Sequence, residues 1–187
     1  MHWFNAERWR GFHVAFARLR VLIVILGLAP YLYFATGAPL WPAALVVAAG
    51  ELLQLWAAAN LHKNEDLARR GPYAWVRNPM YVGRFIVGIG LSLALDLWWI
   101  ALPVFAIIYV VYVRARVLRE EERLVEYLGE PYVEFCRQVG RWFPRRIPAF
   151  SEFASWSWEG VRRNRQWRIT LALIAVFGLI VLRRHYL

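Results

Sequence analysis

Residues 97–113 read LWWIALPVFAIIYVVYV, and residues 114–132 read RARVLREEERLVEYLGEPY. The first stretch has no charge, and the second is almost half charged. A helix needs about 20 apolar residues to cross a bilayer, so the first stretch reads as a membrane span. The second keeps helical periodicity, with Val117, Leu124 and Leu128 on one stripe, and is expected to carry the same helix into the cytoplasm. Gly129 ends that helix and Pro131 blocks its simple continuation.

The same pattern recurs along the chain. Residues 21–50 are uncharged, and residues 167–182 hold only Arg168. Of 187 residues 60% are hydrophobic, and 11 are tryptophan. Together these predict an all-α polytopic membrane protein of about five spans, near residues 19–36, 40–61, 79–95, 97–113 and 167–182. The whole chain, 1–187, is expected to form a single integral membrane domain with cytoplasmic cofactor regions near 62–84 and 114–145. The net charge of +10 then belongs to a membrane protein rather than to a nucleic-acid binder. The first span follows four arginines and ends in no small-residue cleavage site, so it is expected to be retained. One cysteine, Cys136, allows no intrachain disulfide.

Lysine and arginine set the expected orientation. Residues 1–20, 62–84 and 114–168, at the same ends of the spans, carry 21 of them, against 2 on the other side. The N-terminus and both long connections are therefore expected in the cytoplasm, and the C-terminus outside. Any active site should open inward at the membrane surface.

Two stretches could carry chemistry. In GPYAWVRNPMYVG, residues 71–83, Pro72 and Pro79 stiffen the backbone while Gly71 and Gly83 permit close approach. Tyr73, Trp75 and Tyr81 offer aromatic faces that favour cations, or form a membrane-interface belt. Arg77 supplies a charge and Asn78 an amide. In the second stretch, Glu121 falls on the apolar stripe and Glu120 beside it. A carboxylate on a buried stripe needs a cationic partner or a donor-rich ligand. Glu122, Glu126 and Glu130 read as a solvated, ion-paired face. Gly88 and Gly90 either let helices pack closely or leave room for a ligand. Glu51, in mid-span with Gln54, is a functional candidate or an acid hydrogen-bonded to a neighbouring helix. His62 and His185 stand far apart and suggest no metal site.

These two blocks resemble the isoprenylcysteine carboxyl methyltransferase and phospholipid methyltransferase family. Gly71, Tyr73, Arg77, Pro79, Tyr81 and Gly83 match its first block. Glu120, Glu121, Leu124, Gly129 and Tyr132 match its second. The family's usual His and Phe are Asn78 and Leu128 here. Asn78 can donate and accept hydrogen bonds but cannot titrate near neutrality. The resemblance implies an integral membrane enzyme using S-adenosyl-L-methionine. It implies that Tyr73, Asn78, Tyr81, Glu120, Glu121 and Tyr132 surround this cofactor, with Gly88 and Gly90 giving it space. Arg77 and Glu121 are the expected catalytic pair, and Arg84 and Arg116 the expected substrate cations. The expected acceptor is a lipid or lipidated molecule from the bilayer, with an isoprenylcysteine-like carboxylate preferred over a phospholipid amine. An NADPH-dependent membrane reductase and a non-catalytic membrane adaptor are the rival readings.

Overall fold

The computed structural model describes Tyr33 and residues 40–61, 67–145, 147, 149–153 and 155–186. Apart from Tyr33, the expected first span and its flanks lie outside the described residues. Seven α-helices are described: α1 Leu40–Asn60, α2 Pro79–Leu93, α3 Trp98–Leu128, α4 Glu130–Gln138, α5 Phe150–Phe153, α6 Trp158–Arg163 and α7 Gln166–Tyr186. A 3-10 turn, Gly71–Ala74, precedes α2. Among the described residues there is no strand, only an isolated parallel bridge between Val76 and Gly140.

Helices α1, α3 and α7 are long and apolar enough to cross a membrane. At 15 residues, α2 is about 22 Å long, short of the ~30 Å hydrocarbon thickness. The third span was expected to reach residue 95. The helix stops at Leu93, and residues 94–97 turn the chain into α3. The fourth span and the charged stretch behind it form one helix of 31 residues, about 46 Å, with Pro103 near its start.

The α1–α2 pair is the packed heart of the described chain, and a small-residue seam makes it possible. A methyl group added at Gly83 would lie 2.6 Å from Gln54 Cγ and 2.8 Å from the Gly50 carbonyl oxygen. The two backbones therefore approach closer than any larger side chain permits. This seam fixes where α2 begins, and hence where the 71–78 loop sits. The far end of α1 is fixed by polar contacts. Asn60 hydrogen-bonds Ser155, and Asn164 Nδ2 donates to the carbonyl oxygens of Ala58 and Leu61, both at 2.9 Å. The two Asn164 bonds reach carbonyls at the C-terminal end of α1, where helical partners run out.

Candidate functional site

Tyr73, Arg77, Asn78, Tyr81, Arg84, Arg116, Glu120, Glu121 and Tyr132 all border one cavity of about 440 Å³. Gly71 begins the turn that buries Tyr73, Ala74 and Val76. The Arg77 amide donates to the Gly140 carbonyl at 2.9 Å, next to the Val76–Gly140 bridge. The loop after α4 therefore holds the proline-stiffened loop in place. Pro79 occupies the first turn of α2, where its missing N–H costs nothing. Asn78 is the cap residue but does not use its side chain to cap the helix. Its amide Nδ2 turns instead toward Glu121 Oε1 (3.4 Å) and the Arg141 carbonyl oxygen (3.5 Å).

Glu121 is buried and saturated. It accepts from Arg141 Nε at 3.1 and 3.0 Å, from Arg141 Nη2 at 2.6 Å, and from Arg77 Nη2 at 3.2 Å. The Arg77 side chain is 8% exposed, that of Arg141 39%. The fork on Arg141 has the bidentate geometry that makes such pairs strong, and hydrogen bonding to Glu121 pushes the Arg141 pKa upward. With two cations against one anion, this cluster does not by itself attract a further positive charge.

Glu120 is placed differently. It is exposed toward the cavity mouth and accepts from Tyr81 Oη at 2.9 Å. Arg116 Nε donates to that same hydroxyl at 3.0 Å. The Arg84 guanidinium lies 5.2 Å from the centre of the Tyr81 ring. Tyr81 is itself anchored, since Tyr109 Oη donates to its carbonyl at 2.6 Å.

The far wall comes from α4. Gly129 has φ 65°, in the left-handed region, and this reversal turns α4 back against α3. Tyr132, Phe135 and Val139 then pack with Leu67, Leu124, Leu128 and Cys136. Burial pushes the Tyr73 hydroxyl well above the ordinary tyrosine value, and the charge of Glu120 adds to it. Burial does the same for Tyr132, with the charge of Glu121 adding to it. Both hydroxyls are therefore neutral donors at physiological pH.

Two expected site residues stand elsewhere. Gly88 and Gly90 do not border the cavity. A methyl group at Gly88 would collide with the Phe105 ring of α3, and one at Gly90 would lie 2.8 Å from the Val47 amide of α1. Both glycines serve helix packing. Arg141 escaped the sequence reading because it lies in an irregular loop with no motif around it. The only signal for it was the rule that a buried carboxylate requires a cation. Glu51 lies outside the cavity lining and is hydrogen-bonded to α7.

Residues 40–130 match the family model described as phospholipid methyltransferase. The chain is 30% identical over 103 residues to a protein-S-isoprenylcysteine O-methyltransferase of Schizosaccharomyces pombe, covering 55% of this chain and 42% of that one. It is 32% identical over 78 residues to the protein of the same name from Tribolium castaneum, and 34% over 82 residues to that of Homo sapiens. Each of the latter alignments covers 42% of this chain and 27% of the relative. The chain thus spans well under half the length of these relatives.

Proposed function

Because this chain belongs to the isoprenylcysteine carboxyl methyltransferase and phospholipid methyltransferase superfamily, we propose that it is a membrane-embedded methyltransferase. The methyl group would pass from S-adenosyl-L-methionine to a lipophilic acceptor whose preferred reactive group is a carboxylate of the isoprenylcysteine kind. The whole chain would act as one integral domain, with its N-terminus and site in the cytoplasm and its C-terminus outside. The observation that carries the reading is the cavity itself. The two motif blocks, far apart in sequence, bring tyrosines, an amide and two carboxylates onto one cavity.

The residues suit the cofactor. About 440 Å³ falls within the ~300–1,000 Å³ typical of small-molecule sites. The cofactor would supply an electrophilic methyl group on a positively charged sulfur, beside an ammonium group. Glu120 offers a carboxylate that, among the described residues, accepts from a tyrosine hydroxyl rather than from a cation in direct contact. Tyr73, Tyr81 and Tyr132 add aromatic faces and neutral hydroxyls. Asn78 is held by Glu121 through one amide hydrogen, which leaves its oxygen free to receive a donor. Glu121 and Arg77 act together with Arg141 as a frame. Their mutual bonds lock α3 to the 71–78 loop and to the loop after α4, which keeps the cavity walls at fixed separation.

Methyl transfer is an in-line displacement, so the protein needs positioning and water exclusion rather than a covalent intermediate. Arg84 and Arg116 stand at the same mouth and would hold an acceptor carboxylate by charge and hydrogen bonding. A carboxylate is already nucleophilic at neutral pH and needs no base. That agrees with the absence of a titrating group at position 78. An amine acceptor would have to lose a proton, and Asn78 cannot take it.

The test uses protein purified in detergent. S-Adenosylhomocysteine should bind, as measured by calorimetry, and NADPH should not. Membranes incubated with radiolabelled S-adenosyl-L-methionine should then show a base-labile label in the lipid or lipidated-protein fraction. Binding of NADPH alone would overturn the methyltransferase reading. A base-stable label would replace the carboxylate acceptor with an amine.

A further inference from the structure

The cavity has a wall that the matched family segment does not supply. Asn164, Gln166 and Ile169 border it, next to Leu61 at the end of α1. All three lie beyond residue 130, where the family match ends. This wall is held from inside the span. The Glu51 carboxylate accepts from Gln166 Nε2 at 3.0 and 3.2 Å, from Thr170 Oγ1 at 2.6 Å and from Gln54 Nε2 at 3.1 Å. Glu51, Gln54 and Gln166 are 6%, 1% and 1% exposed. Gln166 therefore has two attachments: it borders the cavity and it donates to Glu51. Ile169, which directly precedes Thr170, is 40% exposed and also borders the cavity.

We propose that Glu51 is a positioning residue which fixes the first turn of α7, and that Ile169, so fixed, is the surface along which the acceptor's apolar chain lies. The proposal rests on the methyltransferase reading above and adds to it the place of the acceptor's tail. A carboxylate buried in a span is costly, and among the described residues every hydrogen bond it accepts comes from α1 or α7. Those bonds set how far α7 stands from α1, and hence the width of the cavity beside Leu61. A charged mouth with Arg84, Arg116 and Glu120, together with an aliphatic wall on a membrane-length helix, fits an acceptor that has a polar head and an apolar tail.

The experiment uses the full chain in detergent, with Cys136→Ser to remove the native thiol and Ile169→Cys to place one on the wall. Labelling by a maleimide is timed with and without N-acetyl-S-farnesylcysteine. At concentrations well above its dissociation constant, the farnesyl compound should slow labelling about tenfold or more. N-Acetylcysteine, which lacks the chain, should leave the rate unchanged. Added Glu51→Gln, which keeps an acceptor oxygen, should preserve the protection. Added Glu51→Leu should remove it. Because Glu51→Leu can fail to fold, Thr170→Val serves as the milder variant and should weaken protection several-fold, with S-adenosylhomocysteine affinity unchanged. If the farnesyl compound leaves labelling unslowed while S-adenosylhomocysteine binds, this inference fails and the enzyme reading stands. If protection occurs but is identical in Thr170→Val and Glu51→Leu, the positioning role of Glu51 fails. Absence of S-adenosylhomocysteine binding to the unsubstituted protein would sink the enzyme reading independently of what the thiol at position 169 reports.

Discussion

Glu121 and Glu51 are both buried acids, and the chain holds them in opposite ways. Glu121, beyond the span of α3, is gripped by two arginines and an asparagine amide. Glu51, inside α1, receives only neutral donors among the described residues, two glutamine amides and a threonine hydroxyl. The difference follows from the solvent on either side. Near the aqueous edge a guanidinium can keep part of its hydration while it pairs, as the half-exposed Arg141 does. Deep among apolar helices a second full charge is expensive to bury, so dipoles do the work. One carboxylate is a charge lock between loops, and the other a hydrogen-bond node between helices.

The largest test of this contrast is Glu121→Leu. It leaves Arg77 buried without its anion, and loss of one partner of a buried pair costs about 3–5 kcal/mol. Thermal unfolding in detergent should show it. The double variant Glu121→Leu with Arg77→Met should recover most of the loss, since Arg141 can turn to water. Equal melting of the single and double variants would mean that the pair is no lock.

Glu120→Gln should act on binding instead. Removing the exposed carboxylate should lower S-adenosyl-L-methionine affinity about tenfold, roughly 1.4 kcal/mol, with the melting temperature unmoved. S-Adenosylhomocysteine, which lacks the sulfonium charge, should lose less in the same calorimetric titration. A fall in stability with unchanged affinity would exchange the roles assigned to the neighbouring acids.

Glu51→Gln should be milder still. An amide can accept from the same neutral donors, so its cost should stay near about 1 kcal/mol, as for an ordinary hydrogen bond. A loss as large as that of Glu121→Leu would show that Glu51 faces a charge after all.

The smallest effect concerns pH. Burial raises the Tyr73 pKa above the ordinary 10.0, so the folded chain keeps that proton after the unfolded chain has released it. Stability from this group is fully present below pH 10 and is lost as the pH rises beyond it. Tyr73→Phe should therefore flatten the fall in melting temperature above pH 10 and change nothing at pH 7.

Much of the cavity was legible because its parts are local. Glu120 and Glu121 sit on one helix whose stripe shows in the spacing, and Tyr73, Asn78 and Tyr81 sit in one proline-bounded loop. What failed was of two kinds. Gly88 and Gly90 carry no mark that separates room for a ligand from room for Phe105 or Val47, because a missing side chain says nothing of what fills the space. Arg141 and Gln166 are partners of acids 20 and 115 residues away, and neither lies in a periodic pattern with its partner. The early end of α2 escaped for a related reason. Leu91, Leu93 and Leu95 are as apolar as the helix before them, and the turn at 94–97 is set by the entry of α3.

The unbroken length of α3 has one more consequence. Glu120 lies 22 residues beyond Trp98 on the same rod, about 33 Å away, close to the ~30 Å thickness of a bilayer's oily layer. Were Trp98 held at one surface, the helix would work as a depth gauge, setting the acid at the level of the opposite headgroups. Removing one turn would draw it about 5 Å inward, below the plane where a tethered polar head can float.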